Sequence, residues 1–180
     1  DRIGEKPLYY GWVGKVLLFG SELKALRMHP AWDGEIDPDA LALFVQHCYV
    51  PTPYSIYKNI FKVCQGTIAT FKYKSMSPLS QPDKINYWSA NELVELGQSD
   101  PLQTNDSEAV EFLDGLLRQS IKQQMIADVP VGAFLSGGID SSLIVAIMQQ
   151  QSHRPVKTFT IGFSEEAYNE AQYAKRIAKH

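Results

Sequence analysis

The run Ser136-Gly137-Gly138-Ile139-Asp140-Ser141-Ser142 places three hydroxyls, one carboxylate and two adjacent glycines within a single turn of chain. Each residue type suits one job at a phosphate. Serine hydroxyls donate hydrogen bonds to phosphate oxygens. A single carboxylate such as Asp140 can hold a magnesium ion that bridges those oxygens. Glycines 137 and 138 carry no Cβ, so the backbone can approach an anion closely and adopt positive φ where required. Ser136, Gly137, Gly138, Asp140, Ser141 and Ser142 are therefore read as a nucleotide site, with Asp140 as its magnesium ligand.

Such a loop needs elements that aim it. Residues 129–135, Val-Pro-Val-Gly-Ala-Phe-Leu, form a short apolar run expected to be a buried parallel strand ending at Leu135. Residues 141–151 carry Leu143, Ile144, Ala146, Ile147 and Met148 and predict a helix. Strand, glycine turn and helix together point backbone N–H groups and the positive end of the helix dipole at one spot. A second strand is expected over residues 156–163. The strand–helix–strand order implies a parallel sheet with a right-handed crossover. Ligands in such sheets sit at the carboxyl ends of the strands, so Leu135, Ser136, Ile161, Gly162 and Phe163 should line one crevice. The turn is not a Walker A loop, because no lysine occurs between Lys122 and Lys157. G-x-G-x-x-G is also absent. The plainer alternative is a glycine turn followed by ordinary Ser/Asp helix capping.

Composition limits the classes of partner. At 44% hydrophobic and 21% charged residues, the 180-residue chain is composed like a soluble globular protein of one large or two small domains. A net charge of −3 without a basic run argues against nucleic acid as a partner. No apolar run approaches a membrane span and no signal-peptide pattern opens the chain. Cys48 and Cys64, in no metal-ligand spacing, fit a reducing cytoplasmic setting and buried packing. The chain begins Asp1-Arg2 and ends within a helical pattern, 170–180, so the expectation is an internal piece of a longer polypeptide.

Upstream, residues 8–13 and 15–20 flank Gly14 like a β-hairpin, and Ser21 is the expected cap of a short helix. A second helix is predicted over 37–50, capped by Asp37 with Pro38 in its first turn; Leu41, Phe44, Val45 and Cys48 share one face, with His47 beside them. Strands are expected over 59–67 and 68–73 around a turn at Gly66. Residues 74–105 are rich in Ser, Pro, Asn, Asp and Gln, with Tyr87-Trp88 as an anchor, and read as an interdomain linker. A long helix starts at Asp106 or Ser107, with Val110, Leu113, Leu117, Ile121 and Met125 as its core face.

The loop Ser136-Gly137-Gly138-x-Asp140-Ser141 resembles the pyrophosphate loop of the ATP-pyrophosphatase family, which includes asparagine, argininosuccinate, GMP and NAD synthetases. Asp1-Arg2-x-Gly4-x-Lys6-Pro7-Leu8-Tyr9-Tyr10, with 19–26, Phe-Gly-Ser-Glu-Leu-Lys-Ala-Leu, resembles the end of the glutaminase domain of glutamine-hydrolysing asparagine synthetases. Tyr87-Trp88, the run 158–163 and Tyr168-Asn169-Glu170-Ala171 are similar to the same family. The segment 60–66 departs from the family's I-x-K-L-x-P-G, having Gln65 where proline is usual. Asn169 in an ordinary helix start is an equally good reading of that last tetrad.

The resemblance implies an α/β chain. Residues 1–75 would be the end of an Ntn-hydrolase-type α+β glutamine amidotransferase domain. A linker, 76–105, would precede the start of a parallel-sheet ATP-pyrophosphatase domain, 106–180. The run around Ile161 and Gly162 would flank the adenine. The whole enzyme would hydrolyse glutamine, pass ammonia through the molecule, and use ATP and magnesium to adenylate aspartate, releasing pyrophosphate and then AMP. ATP, glutamine and aspartate are the implied partners, with no nucleic acid or membrane; such enzymes are often homodimers. The family's glutaminase nucleophile is an N-terminal cysteine, absent at Asp1, so no catalytic residue is assigned and the isolated piece is expected to be inactive. Two alternatives remain open: amidation of another carboxylate, such as a sugar acid or a β-lactam precursor, or a non-catalytic module with a relic loop.

Overall fold

The structure, a computed structural model, describes residues 1–72, 80–165 and 169–180. The chain divides into two compact units, Asp1–Pro101 and Leu102–His180.

In the first unit, strands β1 (Tyr9–Val13) and β2 (Val16–Gly20) form the expected antiparallel hairpin, Tyr9 opposite Gly20 and Val13 opposite Val16. The other edge of β1 takes β3 (Ile60–Lys62), giving the order β2-β1-β3. Val13, Ile60 and Leu26 are buried together, with Tyr9, Leu18, Leu23, Trp32 and Tyr57 packed around them. Leu26 belongs to a four-residue helix, α1 (Leu23–Leu26), whose N-cap is Glu22 rather than Ser21 and makes no side-chain capping bond. Its anchorage is therefore the burial of Leu26.

Helix α2 (Pro38–His47) starts as its sequence dictates: the Asp37 carboxylate accepts from the N–H groups of Asp39 and Ala40, and Pro38 occupies the first turn. It stops at Cys48, which adopts the left-handed conformation at φ 61°. The apolar stripe, however, is not core. Ala40 is the buried residue of the helix, while Leu41, Phe44, Val45 and Cys48 are exposed and Cys64 is half-buried. Helical spacing fixes which side chains share a face; it does not say whether anything covers that face.

The two strands expected around Gly66 do not pair with each other. Strand β4 (Thr67–Thr70) instead pairs with β5 (Asp83–Asn86) in a separate antiparallel sheet, Thr67 opposite Asn86. Gly66 sits at φ 61°, and its carbonyl accepts the N–H groups of Tyr87 and Trp88 at 2.8 and 3.3 Å. A Cβ there would lie 2.1 Å from the Trp88 carbonyl oxygen, so the position excludes every side chain. Strand β5 and helix α3 (Ala90–Ser99), capped by Ser89 at the Glu92 N–H, both lie within the stretch read as a linker. Neither element buries a residue. Backbone pairing and a cap hold them, and neither leaves a core signature in the sequence. Residues 73–79, which complete the expected strand and open the linker reading, lie outside the described residues.

The second unit opens with α4 (Asp106–Gln124). Its cap is Asn105, not Asp106 or Ser107. The Asn105 amide oxygen accepts the Glu108 N–H at 3.0 Å, and the Glu108 carboxylate accepts the Asn105 N–H at 3.4 Å, a reciprocal capping box. The Thr104 hydroxyl donates to Glu108 at 2.6 Å and, with the Asn105 N–H, holds that carboxyl below the usual glutamate range. Asn105→Ala is expected to lower stability by about 1 kcal/mol. For a unit of this size that is a fall of roughly 4–8 °C in Tm, measurable by circular dichroism at 222 nm.

Only the second half of the α4 stripe is core. Ile121 is buried against Ile147 and Met148, with Leu117 and Met125 beside it; Val110 and Leu113 are exposed. Ile147 and Met148 belong to α5 (Ile139–Gln151), which connects the parallel strands β6 (Gly132–Phe134) and β7 (Lys157–Phe159), Phe134 opposite Phe159. Both strands are shorter than the apolar runs 129–135 and 156–163 imply. They are also not buried: Phe134 is 80% exposed and Phe159 56%. Parallel strands are buried when other strands and helices flank them on both faces, and this sheet has two strands. Helix α6 (Ala171–Lys179) closes the unit, with Ala174 buried. Among the described residues no helix is long and apolar enough to cross a membrane.

Candidate functional site

The loop 136–138 lies where β6 passes into α5. Leu135, only 1% exposed, pins its start: the Leu135 N–H donates to the Phe159 carbonyl at 2.9 Å, and the Thr160 hydroxyl donates to the Leu135 carbonyl at 2.6 Å. Beyond Leu135 the chain leaves the sheet. Gly137 takes φ 89°, a conformation glycine alone adopts freely. Gly138 then serves as the N-cap of α5.

Three hydroxyls are gathered around this turn. Ser136 Oγ and Ser141 Oγ are 2.9 Å apart, the Gly138 N–H donates to Ser136 Oγ at 3.3 Å, and the Ser136 N–H donates to Ser141 Oγ at 3.3 Å. Ser142 Oγ donates to the Gly138 carbonyl at 2.6 Å. Ser136, Ser141 and Ser142 thus surround Gly138, the residue that starts the helix. The Asp140 carboxylate lies in the first turn of α5, is exposed, and has no hydrogen-bond or ion-pair partner among the described residues.

The helix caps differ in a telling way. Asp37, Ser89 and Asn105 side chains accept first-turn N–H groups of α2, α3 and α4, and Asn169 accepts the Ala171 N–H of α6 at 3.2 Å. Helix α5, capped by a glycine, has no side-chain acceptor for its first-turn N–H groups, a lack it shares with the four-residue α1; the Gly138 N–H itself goes to Ser136 Oγ. A helix start carries N–H groups without intrahelical partners and a partial positive charge. Here the first-turn N–H groups have no side-chain acceptor and could meet an anion, with serine hydroxyls around them. Gly137 has a further role that spacing alone does not reveal. A Cβ on it would lie 2.8 Å from Tyr173 Cβ and 3.0 Å from the Ala174 N, so α6 packs directly on the loop.

Ile161 and Gly162 follow β7 after Thr160 and are exposed, Ile161 at 69%. A Cβ on Gly162 would come within 3.7 Å of Asn169 Oδ1. The structure therefore brings Leu135, Ser136, Gly137, Gly138, Ser141 and Ser142 together around one helix terminus. Ile161 and Gly162 stand at the carboxyl end of the neighbouring strand. Of the tetrad 168–171, Asn169 is seen as the acceptor for Ala171; Tyr168 lies outside the described residues. Nothing in the sequence pattern singles out Thr160 or Tyr173. The run 158–163 marked Thr160 only as strand, and nothing in the pattern places α6 against the loop.

The first unit holds a concavity of about 370 Å³, lined among others by Cys64, Lys84, Trp88 and Ser89. Neither cysteine forms a disulfide, and no group of three or more His, Cys, Asp or Glu side chains able to hold a metal occurs among the described residues.

The fold is mixed α/β with small sheets, and its two units carry different signatures. Residues 1–88 match the glutamine amidotransferase domain, and residues 113–180 match asparagine synthase. The chain is similar over its whole length to glutamine-hydrolysing asparagine synthetases and corresponds to part of them. It is 36% identical over its whole length to a Methanocaldococcus jannaschii protein whose name assigns it provisionally to these enzymes, covering 33% of that protein. It is 35% identical over 99% of its length to the glutamine-hydrolyzing asparagine synthetase 1 of Bacillus subtilis, covering 26% of it. With asparagine synthetase 3 of the same organism it shares 30% identity, again over 26% of the relative. The chain thus spans a quarter to a third of the length of these relatives.

Proposed function

We propose that the protein carrying this chain is an ATP-dependent ligase that amidates a carboxylate, aspartate above all, with ammonia released from glutamine. The observation that carries this reading is the start of α5: a glycine cap with no side-chain acceptor, three serine hydroxyls around it, and a positive-φ glycine before it. That arrangement suits the β- and γ-phosphates of ATP. The open N–H groups of α5 and the hydroxyls of Ser136, Ser141 and Ser142 bind them, while Leu135, Ile161 and Gly162 flank the rest of the nucleotide. Asp140 fits magnesium as a single open carboxylate, since this ion is commonly held by one or two carboxylates plus substrate phosphates. When bound, magnesium neutralises charge on the phosphates.

The chemistry follows from what the loop holds. Attack of a carboxylate oxygen on the α-phosphorus breaks the α–β bond, forming an acyl-adenylate and pyrophosphate. Ammonia then displaces AMP, leaving the amide. The carboxylate has exchanged a poor leaving group for a good one. The loop's donors are placed where negative charge grows on the departing pyrophosphate.

Labelled pyrophosphate exchange tests this sequence of steps. With ATP, magnesium and aspartate, and no ammonia source, label is expected to enter ATP at a rate that depends on aspartate. Exchange that ignores aspartate, or no exchange in a preparation that makes asparagine, would contradict a reversible adenylation.

A further inference from the structure

Leu41 and Phe44 of the α2 stripe border a groove in the first unit, well separated in sequence from the nucleotide loop. The groove has a volume of about 440 Å³, within the range typical of small-molecule sites. Its walls include Tyr9, Leu41, Phe44, Val50 and Ile56, and a single charged residue, Lys62, reaches into it. Leu41 and Phe44 are 44% and 45% exposed because they border the groove rather than a packed neighbour. The polar side chain of Ser55, also at the wall, is already satisfied: its hydroxyl donates to the Tyr57 carbonyl and accepts the Tyr57 N–H, both at 3.1 Å.

Lys62 is not satisfied in the same sense. Its ammonium donates to the Val50 carbonyl and stands 6.0 Å from the centroid of the Tyr9 ring. No carboxylate pairs with it among the described residues, whereas Lys24, Lys58, Lys72 and Arg118 each have an acidic partner. Partial burial pulls its pKa down from the usual lysine value. An ammonium has three donors, so charge and hydrogen-bonding capacity remain for an occupant. Placing a partly desolvated cation on apolar walls without a counter-ion is unfavourable, and an anion that brings its own apolar body would relieve it.

We infer that this groove binds a small amphipathic monocarboxylate, its carboxylate on Lys62 and its hydrocarbon part against Leu41, Phe44 and Ile56. Charge matching argues for one negative charge. A single ammonium offers no bidentate fork, and apolar walls give a doubly charged phosphate nothing to replace its water.

Decanoate below its micellar concentration and decanol below its solubility limit separate the two halves of this statement. Calorimetric titration of the protein carrying this chain should show decanoate binding about tenfold or more tightly than decanol, the magnitude of one charge-assisted hydrogen bond. Lys62→Met should erase the preference and Lys62→Arg should keep it, whereas Phe44→Ala should weaken both probes. Equal affinities in the parent, or no binding of either probe, would overturn the proposal even if Lys62→Met failed to fold. A preference that survives in a folded Lys62→Met protein would overturn it too. ATP binding at the loop is a separate readout, so either site can fail without the other.

Discussion

Gly137→Val is expected to cost the second unit both its loop and its docked helix. The native φ of 89° is strained for any residue with a Cβ and most of all for a β-branched one. The new atom would also collide with Tyr173 Cβ at 2.8 Å and the Ala174 N at 3.0 Å, neither of which is a flexible side-chain end. Strain and overpacking together give a loss of roughly 3 kcal/mol or more. The thermal transition of the unit should fall by well over 10 °C, and ATP affinity with it. A drop in nucleotide binding alone would therefore not identify a phosphate loop. Gly138→Ala makes the separation. Its φ of −73° is open to alanine, and the nearest foreign atom to a Cβ is Ser136 Oγ at 3.4 Å. This variant should melt close to the parent while binding ATP more weakly, because the methyl stands at the helix start where the phosphate must come. Equal ATP affinity in Gly138→Ala and parent would remove the loop from the nucleotide site.

The second large effect concerns Asp140. In the protein that carries this chain, Asp140→Asn should lower magnesium-dependent pyrophosphate release by about two to three orders of magnitude, the scale of several kcal/mol of charge stabilisation. The fold should be nearly unaffected. The carboxylate is exposed and makes no hydrogen bond among the described residues, so its removal breaks only a favourable interaction with the helix dipole. Steady-state pyrophosphate release measured across a magnesium titration, with melting curves alongside, checks both halves. Unchanged turnover at saturating magnesium would leave Asp140 without a metal role.

Much of the site was legible in the sequence because its chemistry is local. Two glycines, three serines and one aspartate within seven residues, between an apolar run and a helical pattern, specify a turn whatever lies elsewhere. The hairpin around Gly14 and the Asp37-Pro38 helix start were legible for the same reason. What depends on distant chain was not. Helical periodicity on α2 and on the first half of α4 correctly grouped Leu41 with Phe44 and Val110 with Leu113, yet these faces are exposed. Strand β4 found its partner in β5, beyond Gly66 and past a polar stretch without alternation. Asn105 outcompeted Asp106 and Ser107 as a cap because Thr104 and Glu108 complete its network, a choice that geometry decides and composition does not. The contact of α6 with Gly137 joins residues far apart in sequence through steric exclusion alone, which leaves no spacing rule to read.

The proposed role of this chain's loop is to hold ATP for cleavage between its α- and β-phosphates in the service of amidation. The most direct measurement is the product of the nucleotide. The protein carrying this chain, incubated with ATP, magnesium, glutamine and aspartate, should yield AMP and pyrophosphate in step with asparagine and glutamate. AMP formed only with a different carboxylate would keep the loop's chemistry and replace aspartate as substrate. ADP and inorganic phosphate in place of AMP and pyrophosphate would contradict the account at its centre.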